Sequence, residues 1–253
     1  MKHMQTVLIA LGGVVVAAAG YAGGYVTPRP AHAHAAVAAD CSHGYVALTF
    51  DDGPDPVSTP QLLTALKRAG IRATFFDIGE QVHKYPALVT QTVADGNQVD
   101  DHTWDHKSLT GATTGTSQLP DVQVTAELDQ AKQAIIEVIG RHPAFFRSPY
   151  GDTDARVQAL AQPLAMTEVG WTVDSRDFEG VSTEQIVRNV LSVQPGGVVV
   201  LHDAGKTPNT IAAIPAIAAG LDARGLCAGR LAPSKPGTAG WEHGVFHARP
   251  VKW

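Results

Sequence analysis

The chain has 253 residues and a formal net charge of −5, and 44% of its residues are hydrophobic. This length and this hydrophobic content are sufficient for one sizeable domain with a buried core. A mildly acidic chain without a basic run is a poor ligand for nucleic acid, so we expect no nucleic-acid partner.

The first 35 residues have the pattern of a secretory signal peptide. A basic start precedes an apolar stretch from Val7 to about Val26, and sites with small residues follow near residues 31–35. We therefore expect segment 1–35 to be removed by cleavage within 33–40, and the protein to be secreted without stable membrane association. The alternative is an uncleaved anchor, because the apolar run approaches the length that crosses a bilayer.

Two cysteines, Cys41 and Cys227, lie near the ends of the predicted domain, which covers residues 41–232. An exported protein meets oxidising conditions, so a disulfide bond between them is the favoured interpretation. Two buried free thiols are the alternative. The tail, residues 233–253, is rich in Gly and Pro and has no periodicity, which predicts a loosely ordered extension.

From Gly44 onward, strand-like and helix-like segments alternate. The segments predicted as strands are 45–50, 73–78, a short run that ends at 100–102, 144–146, 169–173 and 198–201. The segments predicted as helices are 58–69 with Ser58 as its N-cap, 86–94, 124–139, about ten residues after 151, 183–193 and 211–223. This alternation predicts an α/β fold with a parallel sheet, either open or closed into a barrel.

The first predicted strand ends at two adjacent carboxylates, Asp51 and Asp52, followed by Gly53 and Pro54. Catalytic groups of α/β folds gather at the carboxyl ends of strands. Adjacent carboxylates repel unless a cation or a partner separates their roles, so one can hold a metal while the other acts as a base. A solvated Asp-Asp-Gly-Pro turn is the alternative.

His102 and His106 follow the third predicted strand and stand four residues apart. A helical or turn-like segment would let both imidazoles reach one cation. Two surface histidines are the alternative. With Asp52, however, the set becomes two histidines and one carboxylate, which leaves open positions for water and substrate and is typical of a catalytic site.

Three further strand-like segments also end in polar residues. Arg147 can pair with a carboxylate, and the turn that follows it can aim a backbone N–H. Acids follow the strand predicted at 169–173, and His202 ends the last central strand. Each end alone has an ordinary structural explanation, but five such ends in order predict one shared site.

These five stretches carry a resemblance to a known family. They contain Thr-Phe-Asp-Asp-Gly-Pro, His-Thr-Trp-Asp-His, Arg-Ser-Pro-Tyr-Gly, Asp-Ser-Arg-Asp-Phe and Leu-His-Asp. From about Cys41 to Ala232, the chain resembles the polysaccharide deacetylases of carbohydrate esterase family 4, the NodB homology domain. Segments 44–54 and 214–229 further resemble secreted bacterial acetylxylan esterases and chitooligosaccharide deacetylases. The resemblance implies a distorted (β/α) barrel of about seven parallel strands.

The resemblance also implies a role for each group around the paired carboxylates. By position, Asp51 would be the general base, and Arg147 would hold it in place. Asp52, His102 and His106 would bind a divalent metal, with zinc or cobalt as the expected ions.

The remaining motif residues would complete the site. His202 would be the general acid, and Asp177 would set its orientation and charge. The backbone N–H of Tyr150 would help to stabilise the oxyanion, while Trp171 and Leu201 would line the pocket for the acetyl methyl group.

The implied activity is metal-dependent removal of acetyl groups from a polysaccharide or oligosaccharide, from O-acetyl esters of xylan, N-acetyl groups of chitin-type oligomers, or both. The Gly-Thr-rich segment 111–120 is expected to rim the cleft. We expect a monomer. The alternatives are a peptidoglycan N-deacetylase, a hydrolase of small non-sugar amides, and an inactive carbohydrate-binding protein, which would be expected to lack at least one of the catalytic residues.

Overall fold

The computed structural model describes residues 41–205 and 207–232. The predictions for the signal segment 1–35 and for the tail 233–253 lie outside these residues. Within the described part of the chain, no helix combines the length and the apolar character that a membrane span requires.

A parallel sheet, curled into a half-barrel, forms the centre of the fold. Its strands are β1 (Gly44–Asp51), β2 (Thr74–Asp77), β3 (Gln98–Asp101), β4 (Phe145–Phe146), β5 (Thr167–Glu168), β6 (Val173–Asp174), β7 (Val198–His202) and β8 (Leu226–Gly229). Seven of them pair in the order β5-β4-β3-β2-β1-β7-β6, and β8 pairs with the first half of β1. The predicted distorted barrel of about seven parallel strands is confirmed.

Helices connect the strands and cover the outer face of the sheet. They are α1 (Ser58–Ala69), α2 (Gly79–Lys84), α3 (Pro86–Ala94), α4 (Asp121–Ile139), α5 (Ala155–Ala161), α6 (Thr183–Val190) and α7 (Pro208–Asp222). The main core joins β1 to these helices, with Leu48 and Phe50 packed in one cluster with Leu62 of α1 and Ile214 of α7. Helices α1 and α7 thereby pack against β1 and hold it in place.

Strand β1 is buried on both faces, and this decides where its carboxylate goes. Val46, Leu48 and Phe50 belong to the main core, whereas Ala47 belongs to a second cluster. Because successive side chains alternate between faces, Asp51 lies on the same face as Ala47 and away from the main core. The strand therefore delivers one carboxylate to the interior of the half-barrel.

The ends of α1 show one correct and one incorrect prediction. Gly70 ends the helix in the left-handed conformation, with φ of 67°, as expected for a glycine that follows a helix. Ser58 is not the N-cap, because it already belongs to the helix. The Oδ1 atom of Asp55 accepts instead from the backbone N–H groups of Val57 and Ser58, at 2.8 Å each. The carboxylate of Asp55 thus caps the start of the helix, as the hydroxyl group of Ser58 was expected to do.

The prediction of one continuous strand over residues 169–173 is wrong. The chain forms two short strands there, β5 and β6, separated by residues 169–172. The reason is that the Arg147 side chain donates to the carbonyl oxygens of Val169, at 3.0 Å, and Gly170, at 3.1 Å. These carbonyls bind a guanidinium rather than a neighbouring strand. The short helix α2 and strand β8 were not predicted.

Cys41 and Cys227 form the predicted disulfide bond, with their Cα atoms 5.2 Å apart. The bond links the residues just before β1 to β8, which pairs with β1 over Gly44–Ala47. It therefore joins the two ends of the described domain.

Candidate active site

The carboxyl ends of β1, β3 and β7 open into one cavity of about 330 Å³. Residues from all five sequence motifs line it. The motif residues are Asp51, Asp52, His102, His106, Ser148, Tyr150, Gly151, Asp174, Phe178 and His202, and the wall is completed by Thr113, Trp171 and Val200. The tertiary structure thus brings together groups that are up to 151 positions apart in the chain.

Three of these residues form a cluster that could hold a metal ion. The Oδ1 atom of Asp52 lies 3.1 Å from Nε2 of His106 and 3.4 Å from Nε2 of His102. One potential ligand atom from each residue lies within 4.8 Å of the other two. Burial would raise the pKa of Asp52, but the two imidazoles hold that pKa well below its usual range.

The donor set and its protonation fit a divalent cation. Nδ1 of His102 lies 2.8 Å from the carbonyl oxygen of Arg147, so Nδ1 carries the proton and Nε2 presents a lone pair. Oδ1 of Asp52 is buried and has no hydrogen-bond partner among the described residues. Two imidazoles and one carboxylate match the ligand preference of several divalent transition metals.

A turn, not a helix, brings the two histidines together. Thr103 and His106 both have left-handed backbone conformations, with φ of 67° and 62°. Non-glycine residues adopt this conformation at a cost that the surroundings must offset. Here the carboxylate of Asp101 accepts from the N–H of Thr103 at 2.8 Å, and Glu127 of α4 accepts from the next two N–H groups at 3.0 and 3.1 Å.

Gly53 makes the turn after the two carboxylates possible. A Cβ atom at this position would lie 2.3 Å from Oδ1 of Asp203, which is fully buried at the end of β7. Burial and the nearby charges of Asp52 and Asp51 raise the pKa of Asp203 to about 7, although a hydrogen bond from Thr59 opposes this. Only glycine lets the turn and the buried acid approach so closely.

Asp51 is paired with a buried arginine. Nη1 of Arg147 donates to Oδ1 of Asp51 at 2.6 Å and to the hydroxyl of Thr49 at 2.8 Å. The guanidinium lies over the ring of Phe76, with 4.2 Å between Cζ and the ring centroid. Burial lowers the pKa of Arg147, and Asp51 opposes that shift. Because the bonds to Val169 and Gly170 also fix the guanidinium, Asp51 has one defined position beside the metal cluster.

His202 forms the second charged pair of the cavity. Its Nδ1 lies 2.7 Å from Oδ1 of Asp177, whose other oxygen accepts from the His202 backbone N–H at 2.9 Å and from Thr210 at 2.8 Å. Burial would lower the pKa of His202, but the hydrogen bond to Asp177 and the charge of Asp51 raise it to about 9. Burial would raise the pKa of Asp177, but the hydrogen bond and charge of His202 and the hydrogen bond from Thr210 hold it below its usual range. His202 is therefore an imidazolium at neutral pH.

The apolar wall differs in one residue from the one predicted. Trp171 lines the cavity, but Leu201 does not, because its side chain is fully buried in the main core. Val200 and His202 line the cavity instead. Residues two apart on a strand share a face, so the presence of His202 in the cavity excludes Leu201 and selects Val200.

Sequence reasoning missed three residues that support the site: Thr49, Glu127 and Thr210. Thr49 could have been found, because it stands two residues before Asp51 on the same strand and therefore shares its face. Glu127 and Thr210 lie on α4 and α7, far along the chain from the groups that they bind. No local spacing in the sequence connects them to the site.

Comparison with known proteins gives a consistent answer. The model of one protein family, described as polysaccharide deacetylase, matches residues 39–169, which is more than half of the chain. A bifunctional xylanase/xylan deacetylase of Cellvibrio japonicus is 37% identical over 77% of this chain. A peptidoglycan-N-acetylglucosamine deacetylase of Listeria monocytogenes is 34% identical over 64% of this chain. The chain spans only 28% and 33% of the lengths of these two relatives.

The fold comparison agrees with the sequence comparison. A family 4 carbohydrate esterase from Streptomyces lividans, solved in complex with acetate, has a TM-score of 0.71 and 38% sequence identity. The match covers 82% of this chain and 98% of that one. Members of this family are hydrolytic enzymes that act on acetyl groups of polysaccharides, and they use a divalent metal. This chain belongs to the polysaccharide deacetylase family, the carbohydrate esterases of family 4.

Proposed function

We propose that this protein is a secreted, monomeric deacetylase that hydrolyses acetyl groups on an extracellular polysaccharide. One observation carries the proposal: a buried carboxylate, Asp51, and an imidazolium, His202, line the same cavity as a cluster of metal-ligand type. Hydrolysis of an ester or amide needs a base for water and an acid for the leaving group. Asp51 and His202 would supply these two groups, and the raised pKa of His202, about 9, supports its role as the acid.

Asp52, His102 and His106 would hold the divalent metal, which we propose to be zinc or cobalt, two of the ions that such a donor set binds. When bound, such an ion supplies Lewis-acid polarisation of the acetyl carbonyl and lowers the pKa of water.

The chain's own residues would move the protons. Asp51, held by Arg147, takes the proton of the attacking water. The backbone N–H of Tyr150 donates to the oxyanion, a contribution of roughly 3 to 4 kcal/mol per donor in other acyl-transfer sites. His202 protonates the departing sugar oxygen or nitrogen, and Asp177 keeps that imidazole charged. Trp171 and Val200 form the apolar wall for the acetyl methyl group.

Two substrate classes are supported by the relatives, namely O-acetylated xylan and polymers of N-acetylglucosamine, including peptidoglycan. Ester and amide hydrolysis use the same base and acid, so these groups support both substrate classes equally. The small-amide alternative has no comparable support. A purely binding role is disfavoured, because Asp51, Asp52, His102, His106 and His202 are all present.

The test is acetate release from acetylated xylan, N-acetylglucosamine oligomers and peptidoglycan, measured side by side. Chelated protein is assayed before and after the addition of zinc or cobalt. We expect metal-dependent release from at least one polymer, and the preferred polymer identifies the substrate. Absence of release from all three by metal-loaded protein would refute polysaccharide deacetylation and favour small amides.

A further inference from the structure

Two buried carboxyl groups lie beside the turn that follows β1, and the proposed mechanism uses neither. Asp77 ends β2 and is 1% exposed, and Asp203 follows β7 and is fully buried. Both side-chain oxygens of Asp77 and Oδ1 of Asp203 have no hydrogen-bond partner among the described residues. Within the same residues, no ion pair joins either group to a Lys, Arg or His. Because buried polar atoms without partners are costly, these atoms need an explanation.

The sheet places the two carboxyl groups on the same side. Strands β2 and β7 flank β1, and both are in register with it at Asp51. Phe75 of β2 and Leu201 of β7 belong to the main core, on the side that the helices cover. Asp77 and Asp203 each follow two residues later, so their side chains point to that same side.

One proton can satisfy both groups. Two buried carboxylates that lie close together without a cation cannot both be ionised, whereas an acid and a carboxylate form a strong hydrogen bond. Burial and the charge of Asp203 raise the pKa of Asp77 well above its usual range. The hydroxyl group of Thr59 already donates to Oδ2 of Asp203 at 2.6 Å, so Oδ1 is the acceptor that is left.

We propose that Asp77 donates a hydrogen bond to Oδ1 of Asp203, and that this carboxylic acid–carboxylate pair is a positioning element for the metal ligand Asp52. The proposal rests on the metal-binding role of Asp52 in the proposed function. It does not depend on which acetylated substrate the site takes.

The pair acts on Asp52 through the turn at Gly53. Asp52 has a left-handed backbone conformation, with φ of 77°, and its side chain lines the cavity. Surrounding contacts must offset the cost of this conformation. The carbonyl oxygen of Gly53 accepts from the N–H of Ile78, the residue after Asp77, at 2.8 Å, while the carboxyl group of Asp203 packs against Gly53. A hydrogen bond between Asp77 and Asp203 therefore holds the turn against both neighbouring strands.

The test variants separate the hydrogen bond from the filling of space. Asp77→Asn keeps the shape of the side chain and a donor that can reach Oδ1 of Asp203. Asp77→Leu keeps a side chain of similar size and removes every polar atom. The control is Val190→Ala, which removes volume at a fully buried residue of α6 and lowers stability through a core cavity alone. Melting curves by circular dichroism rank the stability of all three.

Affinity for Co²⁺ is the main measurement, obtained by titrating chelated protein and following the visible absorption of the bound ion. We expect the affinity of Asp77→Leu to be about tenfold weaker than that of the wild type, as for other residues that support metal ligands. Asp77→Asn should stay within about twofold of the wild type, because it retains the donor. Val190→Ala should bind Co²⁺ normally despite its lower melting temperature.

Three outcomes of this titration would overturn the positioning role. They are a normal affinity in Asp77→Leu, an equal loss in Asp77→Asn and Asp77→Leu, and a comparable loss in Val190→Ala. A wild-type protein that binds no Co²⁺ would also overturn it, because Asp52 would then not be a metal ligand.

A crystal structure of the wild type at atomic resolution tests the pair directly. We expect one oxygen of Asp77 to lie about 2.5 to 2.7 Å from Oδ1 of Asp203. A water molecule or a cation between the two groups would refute the shared proton.

Acetate release by the same proteins separates this proposal from the proposed function. If the wild type binds Co²⁺ but releases no acetate, the proposed function fails, and the Co²⁺ affinities still decide the role of the pair. If the wild type and Asp77→Leu release acetate equally and bind Co²⁺ equally, the proposed function stands and the positioning role fails.

Discussion

Two cation–carboxylate pairs flank the cavity, and they differ in which member of the pair would transfer a proton. In Arg147–Asp51, the closest atoms are 2.6 Å apart and both side chains are almost fully buried. In His202–Asp177, they are 2.7 Å apart, but the imidazole is 18% exposed. The first cation is permanent, so in the proposed mechanism Asp51 is the member of this pair that accepts a proton. In the second pair the carboxylate stays charged, and the imidazole exchanges them.

The comparison teaches that similar geometry does not define a role. The identity of each cation decides which member of the pair can act in proton transfer, because a guanidinium keeps its proton whereas an imidazolium can donate one. A guanidinium in place of His202 could not deliver a proton, and an imidazole in place of Arg147 could itself lose its charge. The four predictions that follow test this division, from the largest expected effect to the smallest.

Replacing Asp51, the proposed base, should have the largest effect on acetate release. In Asp51→Asn, we expect acetate release to fall about 10³-fold, because an amide cannot accept the proton of water. Metal content, measured by atomic absorption after dialysis, should stay at the wild-type level, since Asp52, His102 and His106 are unchanged. A variant with near-normal turnover would remove Asp51 from the role of base.

Replacing the working imidazole should have an effect that depends on the leaving group. In His202→Ala, we expect turnover of polymer substrates to fall about 10²- to 10³-fold. The loss should be much smaller for 4-nitrophenyl acetate, whose leaving group departs without a proton. Equal losses on both substrates would contradict the assignment of His202 as the acid.

The raised pKa of His202 predicts a pH profile. Because the acid must be protonated, kcat/KM should decline as the pH rises through about 9. In Asp177→Asn the partner charge is lost, so this decline should begin at a lower pH. The raised pKa also stabilises the fold: its contribution is complete below about pH 6.5 and is lost as the pH rises through about 9. Melting temperatures measured across this pH range check the effect on stability. An unchanged pH profile of kcat/KM in Asp177→Asn would contradict the pairing of His202 with Asp177.

The smallest effect is expected at Thr210, which donates to Asp177 from α7. Thr210→Val removes one hydrogen bond and keeps the shape of the side chain, so we expect a fall in kcat of about three- to tenfold with KM unchanged. The decline of activity at high pH should move slightly, and in the direction of Asp177→Asn. A change in KM alone would indicate that Thr210 acts on the substrate rather than on the acid.

Much of this site could be predicted from the sequence because the chemistry follows strands. Asp51, Asp52, His102 and His202 each end or follow a buried strand, and parallel strands bring their carboxyl ends to one edge of the sheet. The alternation of strands and helices also predicts the fold, and Gly70 and Gly140 mark the ends of their helices. These signals are local, so a single chain reveals them.

The tertiary structure decided what depends on contacts between distant segments. The guanidinium of Arg147 donates hydrogen bonds to the carbonyl oxygens of Val169 and Gly170, and for that reason the continuous strand predicted there is absent. Glu127 supports the histidine turn from a helix that begins 15 residues after His106. Such pairings are set by three-dimensional packing and by the need of buried polar groups for partners, neither of which has a spacing along the chain.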